Sequence, residues 1–292
     1  MSNRRTDYAL ITGGSLGIGK CIARQLAGNG YNIVLVALPD EDLEKTKLEL
    51  SSSFDVDVRS VGIDLTKNES AEEVYYWCNL NQLEVSILIN NAGFGYSGRF
   101  DDYDLEFLDS LMKLNMVAMV NLTRLFVTDM KKLPACYILN VGSIASYYDS
   151  PFKAVYAASK KFVFSFSRAI RQEYLGTSIS VSVLTPAGVM TNDDVKCAAE
   201  ALGWSAKLIS YTPEEVAEKA VKGMFNGRAR IVPGIFNNIY IAMRRILPYR
   251  LQLMLISRHF KKKNVPIYKG EQSGVTEEVD ADAGHEKPAL MD

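Results

Sequence analysis

Short runs of apolar residues alternate along the chain with longer stretches in which apolar residues recur at the spacing of a helix. The short runs predict seven buried strands, at Tyr8–Thr12, Asn32–Ala37, Val56–Ile63, Val85–Asn90, Cys136–Val141, Ile179–Leu184 and Arg230–Val232. The longer stretches predict helices near residues 17–29, 40–52, 69–82, 102–131, 153–175 and 213–226. Strands that are apolar on both faces, each followed by a helix, indicate an α/β fold with a single doubly wound parallel sheet.

Charge divides the chain into three parts, although 33 Lys and Arg nearly balance 34 Asp and Glu and the formal net charge is −1. Residues 222–263 hold ten basic residues and no acidic one, whereas residues 270–292 hold seven acidic residues and one basic one. We therefore predict one α/β domain over residues 1–233, a basic amphipathic helical extension over 234–263 and an acidic disordered tail over 264–292.

The scarcity of histidine and the spacing of cysteine exclude several kinds of active site. Both histidines, His259 and His285, follow the predicted sheet, so we expect neither a Ser–His–Asp hydrolase nor a metal site. The cysteines form no Cys-x-x-Cys pair, which is typical of free thiols in a reducing compartment. No signal peptide and no run of ~20 apolar residues is recognised, and the sequence therefore predicts a cytoplasmic protein.

The first strand runs into a glycine-rich turn, Thr12-Gly-Gly-Ser-Leu-Gly-Ile-Gly19, and then into the first helix. Glycines at such a place let backbone N–H groups approach a phosphate at a helix N-terminus, so the turn predicts a nucleotide site over a plain strand-to-helix turn. The same residues match the G-x-S-x-G nucleophile elbow of α/β-hydrolases. That alternative is disfavoured because no strand precedes this one and the nearest later histidine lies beyond the sheet.

Six short motifs, in order along the chain, resemble those of the short-chain dehydrogenase/reductase (SDR) family. They are the glycine turn, Asp64-Leu65, Asn90-Asn-Ala-Gly93, Asn115, Ser143 with Tyr156-x-x-x-Lys160, and Pro186-Ala-Gly-Val-Met-Thr191. The resemblance covers about residues 6–233 and implies that they form a Rossmann-fold catalytic domain of an NAD(P)-dependent oxidoreductase. Residues 213–250 are similar to a lipid- and steroid-reductase-like branch that includes 3-ketoacyl-CoA, ketosphinganine and 17β-hydroxysteroid reductases.

The resemblance also implies the roles of individual residues. It gives a catalytic set of four, in which Lys160 also binds the nicotinamide ribose and Asn115 holds a water that links Lys160 to solvent; the set is Asn115, Ser143, Tyr156 and Lys160. It implies that the cofactor contacts Thr12, Gly13, Ser15, Gly17, Ile18, Gly19, Leu38, Asp64, Leu65, Asn91, Ala92, Gly93, Tyr156, Lys160, Pro186, Gly188, Val189 and Thr191.

The spacing of Tyr156 and Lys160 is that of one helical turn, so the two side chains share a face of the predicted fifth helix. A free tyrosine has a pKa near ~10, too high for a base at neutral pH. The lysine ammonium and the positive nicotinamide ring favour tyrosinate, so we expect a lowered pKa for Tyr156. Ser143 would then stabilise charge on the substrate oxygen. The structural alternative is an ordinary surface pair on an amphipathic helix.

The preference between NAD and NADP stays open at the level of the sequence. An acidic residue after the second strand binds the ribose 2′-OH of NAD, whereas an arginine accommodates the 2′-phosphate of NADP. Leu38 occupies that position and can do neither, and Leu16 stands in the glycine turn where NADP enzymes often carry a basic residue. The acidic run Asp40–Asp42 would repel a phosphate but also makes a good helix N-terminus.

The side chains near these motifs predict an apolar substrate pocket. We expect the substrate to contact Ser143 and Tyr156, with Phe94 and Tyr148 beside them. Other candidates, each of which has a place in the core as its alternative, are Tyr96, Ile144, Tyr147, Phe152, Val189, Met190 and Trp204. A pocket without an arginine or lysine clamp favours a lipophilic ketone or alcohol. A catalytically idle nucleotide-binding or scaffold protein is the second hypothesis.

The partners are predicted from the extension and from two long helices. Apolar residues recur at helical spacing from Ile235 to Leu247 among basic residues, which favours a helix lying on an anionic membrane surface or packing against protein. The first alternative places the protein peripherally at the inner membrane surface; nucleic acid is not expected. The predicted helices 102–131 and 153–175 carry more apolar residues than one sheet face needs, which favours a homodimer or homotetramer.

Overall fold

The computed structural model describes residues 5–187, 211–234, 237 and 248–261. Seven parallel strands form one sheet in the order β3-β2-β1-β4-β5-β6-β7. The strands are β1 Tyr8–Thr12, β2 Asn32–Ala37, β3 Val58–Gly62, β4 Val85–Asn90, β5 Cys136–Val141, β6 Ile179–Leu184 and β7 Arg230–Ile231. The predicted fold, a doubly wound parallel sheet, is confirmed, and β3 and β7 are shorter than predicted.

The helices cover both faces of the sheet. They are α1 Gly17–Gly28, α2 Glu41–Ser53, α3 Ser70–Leu80, α4 Leu105–Met112, α5 Ala118–Met130, α6 Ala154–Glu173, α7 Pro213–Phe225 and α8 Tyr249–Lys261. On one face α1 and α7 bury Leu26 and Met224 against the strands. On the other face α3, α5 and α6 bury Val74, Phe126 and Ile170.

The helix predicted over residues 102–131 is wrong as a single element. The chain instead forms a short 3-10 turn at Phe100–Asp102, then α4, a π-helical turn at Lys113–Val117, and α5. A π turn inserts an extra residue into a helix and is frequent at functional sites. Asn115 lies inside this turn and is almost fully buried, where it binds the chain that follows β4.

The sheet order reverses at β1, which pairs with β2 on one side and with β4 on the other. In such sheets ligands bind at the carboxyl ends of the strands, beside the reversal. The chain after β1, β4 and β5 therefore defines the candidate site. Near these ends, β4 and β5 are also linked by a buried pair of side-chain amides: Asn90 Nδ2 donates to Asn140 Oδ1 at 2.8 Å.

The predicted extension lies partly outside the described residues. Helix α8 falls within it, whereas the apolar stripe 235–247, apart from Asn237, and the predicted tail 264–292 are outside. Within the described part of the chain, no helix combines the length and the apolarity that crossing a membrane requires.

Candidate active site

The glycine turn after β1 has the backbone that a bound phosphate needs. Gly13 and Gly17 have φ of 61° and 54°, the left-handed region that glycine tolerates and other residues rarely adopt. A Cβ on Gly19 would collide with the carbonyl oxygen of Gly13 and lie 2.5 Å from Asn91 Nδ2. Because Leu16, the N-cap of α1, makes no side-chain capping hydrogen bond, the first amides of the helix are left for a ligand.

Two side chains fasten this turn to the end of β4. Thr12 Oγ1 accepts from the backbone amides of Asn91 and Ala92, both at 3.0 Å. Asn91 Nδ2 donates in return to the carbonyl oxygens of Thr12 and Gly13, both at 2.9 Å. Asn91 thus holds the glycine turn and the end of β4 together at the floor of the crevice.

Ser143, Tyr156 and Lys160 meet where β5 ends and α6 begins. Ser143 follows β5 and makes a hydrogen bond with the Tyr156 side chain. Lys160, one turn along α6, is buried, and its Nζ lies 5.9 Å from the centroid of the Tyr156 ring. Lys160 Nζ also donates to the carbonyl oxygen of Val141 at 3.1 Å. The structure therefore brings the three side chains together, as the sequence predicts.

Burial shifts the pKa values of both Tyr156 and Lys160 in the cofactor-free chain. Burial raises the pKa of Tyr156 above its ordinary value of 10.0, and the hydrogen bond with Ser143 offsets part of that rise. In the chain by itself the tyrosine is a neutral proton donor at pH 7, and the lowering of its pKa that we expect beside a bound nicotinamide stays a prediction for the complex. Burial also lowers the pKa of Lys160 to about 8, so its ammonium is mostly charged at neutral pH.

The buried Lys160 makes the stability of the cofactor-free protein depend on pH. Its folded-state pKa of about 8 lies below the ordinary value of 10.5, so between these values the unfolded chain binds a proton that the folded chain does not. The free energy of unfolding therefore rises as the pH increases through 8. We expect urea unfolding between pH 7.5 and 9.5 to show a steeper rise for the wild type than for Lys160→Met. Equal slopes would contradict the lowered pKa.

Asn115 holds the loop that follows β4. Its Oδ1 accepts from the Phe94 amide at 3.1 Å, and its Nδ2 donates to the Phe94 carbonyl at 2.9 Å and to Ser159 Oγ at 3.1 Å. A Cβ on Gly93 would lie 2.7 Å from Asn115 Oδ1 and 3.2 Å from Lys160 Nζ. Both hydrogens of the Asn115 amide group are thus donated to protein acceptors, whereas Oδ1 keeps a second lone pair. The water that the resemblance assigns to Asn115 stays a prediction.

The aromatic residues near the site divide between pocket and core. Tyr96 belongs to the core and not to the pocket, since its side chain is 2% exposed. Its hydroxyl accepts a hydrogen bond from the Val155 amide, at the start of α6, at 3.1 Å. It packs against Tyr103 and Phe107, which sequence reasoning missed because only the fold brings them to α6. Phe94 is half-buried, with its ring centroid 5.4 Å from that of Phe107.

Several residues that the resemblance assigns to the cofactor also make contacts within the protein. Asp64 Oδ1 accepts from the Thr66 amide at 2.9 Å, and Leu65 is buried in the core. The Pro186 carbonyl accepts from the Ile144 amide at 2.9 Å. Tyr148, a predicted substrate contact, is half-buried and lies five residues after Ser143. The predicted contacts Gly188, Val189, Thr191, Met190 and Trp204 fall outside the described residues.

The described ranges contain no group of three or more His, Cys, Asp or Glu side chains placed to bind a metal ion. Their three cysteines, Cys21, Cys78 and Cys136, are free thiols. Cys197 lies outside the described residues.

Comparison with known proteins connects this geometry to a family. Residues 7–200 match the family described as short chain dehydrogenase. Very-long-chain 3-oxoacyl-CoA reductase of Bos taurus is 30% identical over 191 residues, which are 63% of this chain and 60% of that protein. Human 17-beta-hydroxysteroid dehydrogenase type 3 is 33% identical over 188 residues, again 63% and 60%. The matched part thus spans 60% of the length of these relatives.

Two solved structures share the fold. L-sorbose reductase from Gluconobacter frateurii, complexed with NADPH and L-sorbose, superimposes with a TM-score of 0.70 at 26% identity, covering 78% of this chain and 95% of that one. A 7beta-hydroxysteroid dehydrogenase gives a TM-score of 0.80 over 87% and 98% of the two chains, and its 21% identity supports the fold alone.

Proposed function

The chain belongs to the short-chain dehydrogenase family, and from this premise we propose that it is an NAD(P)(H)-dependent oxidoreductase that interconverts a ketone and a secondary alcohol. The observation that carries the proposal is the meeting of Ser143, Tyr156 and Lys160 at the end of β5. These groups stand beside a glycine turn that is shaped for a phosphate.

The described residues fit a nicotinamide dinucleotide. The uncapped start of α1 suits a pyrophosphate, and Gly13, Gly19 and Gly93 let the chain segments that form the site approach more closely than a Cβ would permit. The dinucleotide would be held by the residues that the resemblance implies, with its nicotinamide end towards Tyr156 and Lys160. When bound, it supplies the hydride that is transferred in this chemistry.

The side chains of this chain would handle the proton. In the reductive direction Tyr156 gives its hydroxyl proton to the oxygen of the substrate carbonyl, and its raised pKa keeps that proton in place before reaction. Ser143 donates a hydrogen bond to the same oxygen. The Lys160 ammonium stabilises the tyrosinate that remains. Oxidation uses the same groups in reverse.

A lipophilic substrate is supported by the walls of the crevice and by the names of the relatives. Phe94 borders the site, and behind it lies a cluster of aromatic rings from Tyr96, Tyr103 and Phe107. The two curated relatives are named for a 3-oxoacyl-CoA and a 17-beta-hydroxysteroid. We therefore propose a ketoacyl, ketosphingoid or steroid-like ketone as the substrate class.

A binding titration followed by a substrate screen tests the proposed function. The purified protein is titrated with NADH and with NADPH, and then assayed with 3-ketoacyl thioesters, ketosphinganine and ketosteroids. We expect saturable binding of a cofactor and its oxidation by at least one lipophilic ketone. Tight cofactor binding without turnover of any ketone or alcohol would instead support the scaffold alternative.

A peripheral membrane contact is proposed for the basic extension. In α8 the exposed Tyr249 and Met254 stand among Arg250 and Arg258, with no acidic residue in the first turn. Each basic residue near an anionic surface adds roughly 1 kcal/mol to membrane binding. This arrangement suits a helix that lies in the interface of an anionic bilayer.

Liposome flotation checks this contact. We expect the full-length protein to float with phosphatidylserine vesicles, and the double variant Arg250→Gln/Arg258→Gln to have a vesicle partition coefficient about thirtyfold lower, given about 1 kcal/mol for each of the two charges. Lys45→Gln/Arg124→Gln removes the same charge from exposed positions of the α/β domain and serves as the control. Equal recovery of the two double variants would contradict the membrane proposal.

Self-association through the α5–α6 side of the sheet is also proposed. Val117 and Phe162 are 48% and 41% exposed there, and the Phe162 ring stacks on Phe166. Exposed apolar groups of this kind favour burial against a second copy.

Size-exclusion chromatography with light scattering checks this self-association. The wild-type protein should have the mass of a dimer or tetramer, and Phe162→Glu should lower that mass towards the mass of the monomer. A monomeric wild type would contradict the proposal.

A further inference from the structure

We infer that this site prefers NAD(H) to NADP(H), an inference that rests on the proposed function and names its cofactor. The two cofactors differ only in a phosphate on the adenosine ribose, which doubly wound sheets receive beside the end of the second strand. Here that place is a corner bounded by the glycine turn, the end of β2 and the start of α2. The corner is assembled by two contacts: the Gly13 amide donates to the Val36 carbonyl at 2.7 Å, and Thr46 Oγ1 donates to the Ser15 carbonyl at 2.7 Å.

The side chains that the corner presents are apolar or acidic. Leu16, at the tip of the turn, is 54% exposed, and the half-exposed Leu38 follows β2. Next along the chain, Asp40, Glu41 and Asp42 begin α2. A phosphate carries a charge of about −1.5 to −2 at pH 7, so it would lie beside a helix start that bears three acidic residues.

The N-terminus of α2 does not offset this repulsion. Helix amides attract anions, but Asp40 already accepts from the Leu43 amide at 3.0 Å and supplies the negative charge that the helix dipole favours. The ribose of NAD, which is neutral at this position, avoids the repulsion. The same acidic helix start that stabilises α2 thus discriminates against the phosphate.

Three of the nearby cations form ion pairs with acidic residues of α2. Glu49 binds Lys20 at 2.6 Å and Arg24 at 2.9 Å, and Glu44 binds Lys47 at 3.3 Å. Lys45 is exposed on α2, about 100° around the helix from Thr46, the residue that contacts the turn. No arginine stands at position 38, where it would bridge to a 2′-phosphate.

The preference is tested by binding alone, before any substrate is known. NADH and NADPH are titrated separately into the full chain, and binding is followed by the quenching of its tryptophan fluorescence. We expect the dissociation constant of NADH to be at least about tenfold lower, since a charged hydrogen-bonding group left without a partner costs that much or more. Equal affinities, or tighter binding of NADPH, would overturn the preference and leave the proposed function standing; binding of neither cofactor would overturn the proposed function itself.

The variant Leu38→Arg tests whether this corner is responsible. We expect it to shift the NADPH-to-NADH affinity ratio by at least about tenfold towards NADPH. Leu48→Arg makes the same change at a 66% exposed position further along α2 and should leave the ratio unchanged. A Leu38→Arg protein that binds NADH normally and keeps the wild-type ratio would contradict the assignment of the corner.

Discussion

We expect the Tyr156→Phe variant to lose about 10²–10⁴-fold in turnover, the range that a positioned general acid contributes. The substitution removes one oxygen and keeps the ring that lies against Gly95, where a Cβ would come within 2.9 Å of Tyr156 Cε2. The fold and the crevice should therefore survive, and cofactor affinity should change little. Steady-state assays give the turnover, and fluorescence titration gives the affinity.

A matched control separates the lost proton donor from the loss of a hydroxyl as such. Tyr76 lies on α3 and is 64% exposed. Tyr76→Phe should therefore keep wild-type turnover. If Tyr156→Phe retained more than about a tenth of the wild-type rate, the loss would be smaller than general acid catalysis requires, and the role assigned to Tyr156 would be wrong.

The second large effect is expected for Gly19→Ala, which should abolish saturable binding of the cofactor. The new Cβ would collide with the Gly13 carbonyl and with Asn91 Nδ2, so the turn and the end of β4 would have to move apart. Overpacking of this kind costs about 1–3 kcal/mol of folding free energy. We expect a lower urea midpoint together with the loss of NADH and NADPH binding in fluorescence titrations.

The same substitution at the other end of α1 provides the control. Gly28 ends the helix, and a Cβ there would lie 3.5 Å from Phe54 Cε1, an ordinary contact. Gly28→Ala should therefore bind cofactor normally and be stabilised by up to about 1 kcal/mol, because alanine reduces the entropy of the unfolded chain. Normal cofactor binding by Gly19→Ala would mean that the glycine turn is not the phosphate site.

The strands were predictable because they are buried on both faces. Five of the seven, including β1 and β4, have the predicted bounds, since a continuous apolar run marks a central strand in a parallel sheet. The position of the site, at the carboxyl ends of the central strands, was predictable for the same reason. Thr12 is the last residue of β1, and Asn91 and Ser143 follow β4 and β5. The carboxyl ends of these three neighbouring strands share one edge of the sheet.

Features that depend on contacts between distant residues were not predictable. Asn115 lies in the π turn, and its side chain makes hydrogen bonds with Phe94, 21 residues earlier. The local sequence pattern does not predict a contact between residues so far apart. Tyr96 is drawn into the core by Tyr103 and by the start of α6. The direction of the Tyr156 pKa shift also depends on burial, which outweighs the hydrogen bond with Ser143 in the cofactor-free chain.

The central claim, hydride transfer to a carbonyl carbon with the proton supplied by this chain, is tested most directly by isotope transfer. The full-length protein is incubated with a lipophilic ketone and with NADH or NADPH that carries deuterium at the transferable C4 position, and the alcohol is analysed by mass spectrometry. We predict one deuterium on the carbinol carbon, formed by the wild type and by Tyr76→Phe but about 10²–10⁴-fold more slowly by Tyr156→Phe. Tight cofactor binding with no deuterated alcohol from any ketone of the panel would contradict the account.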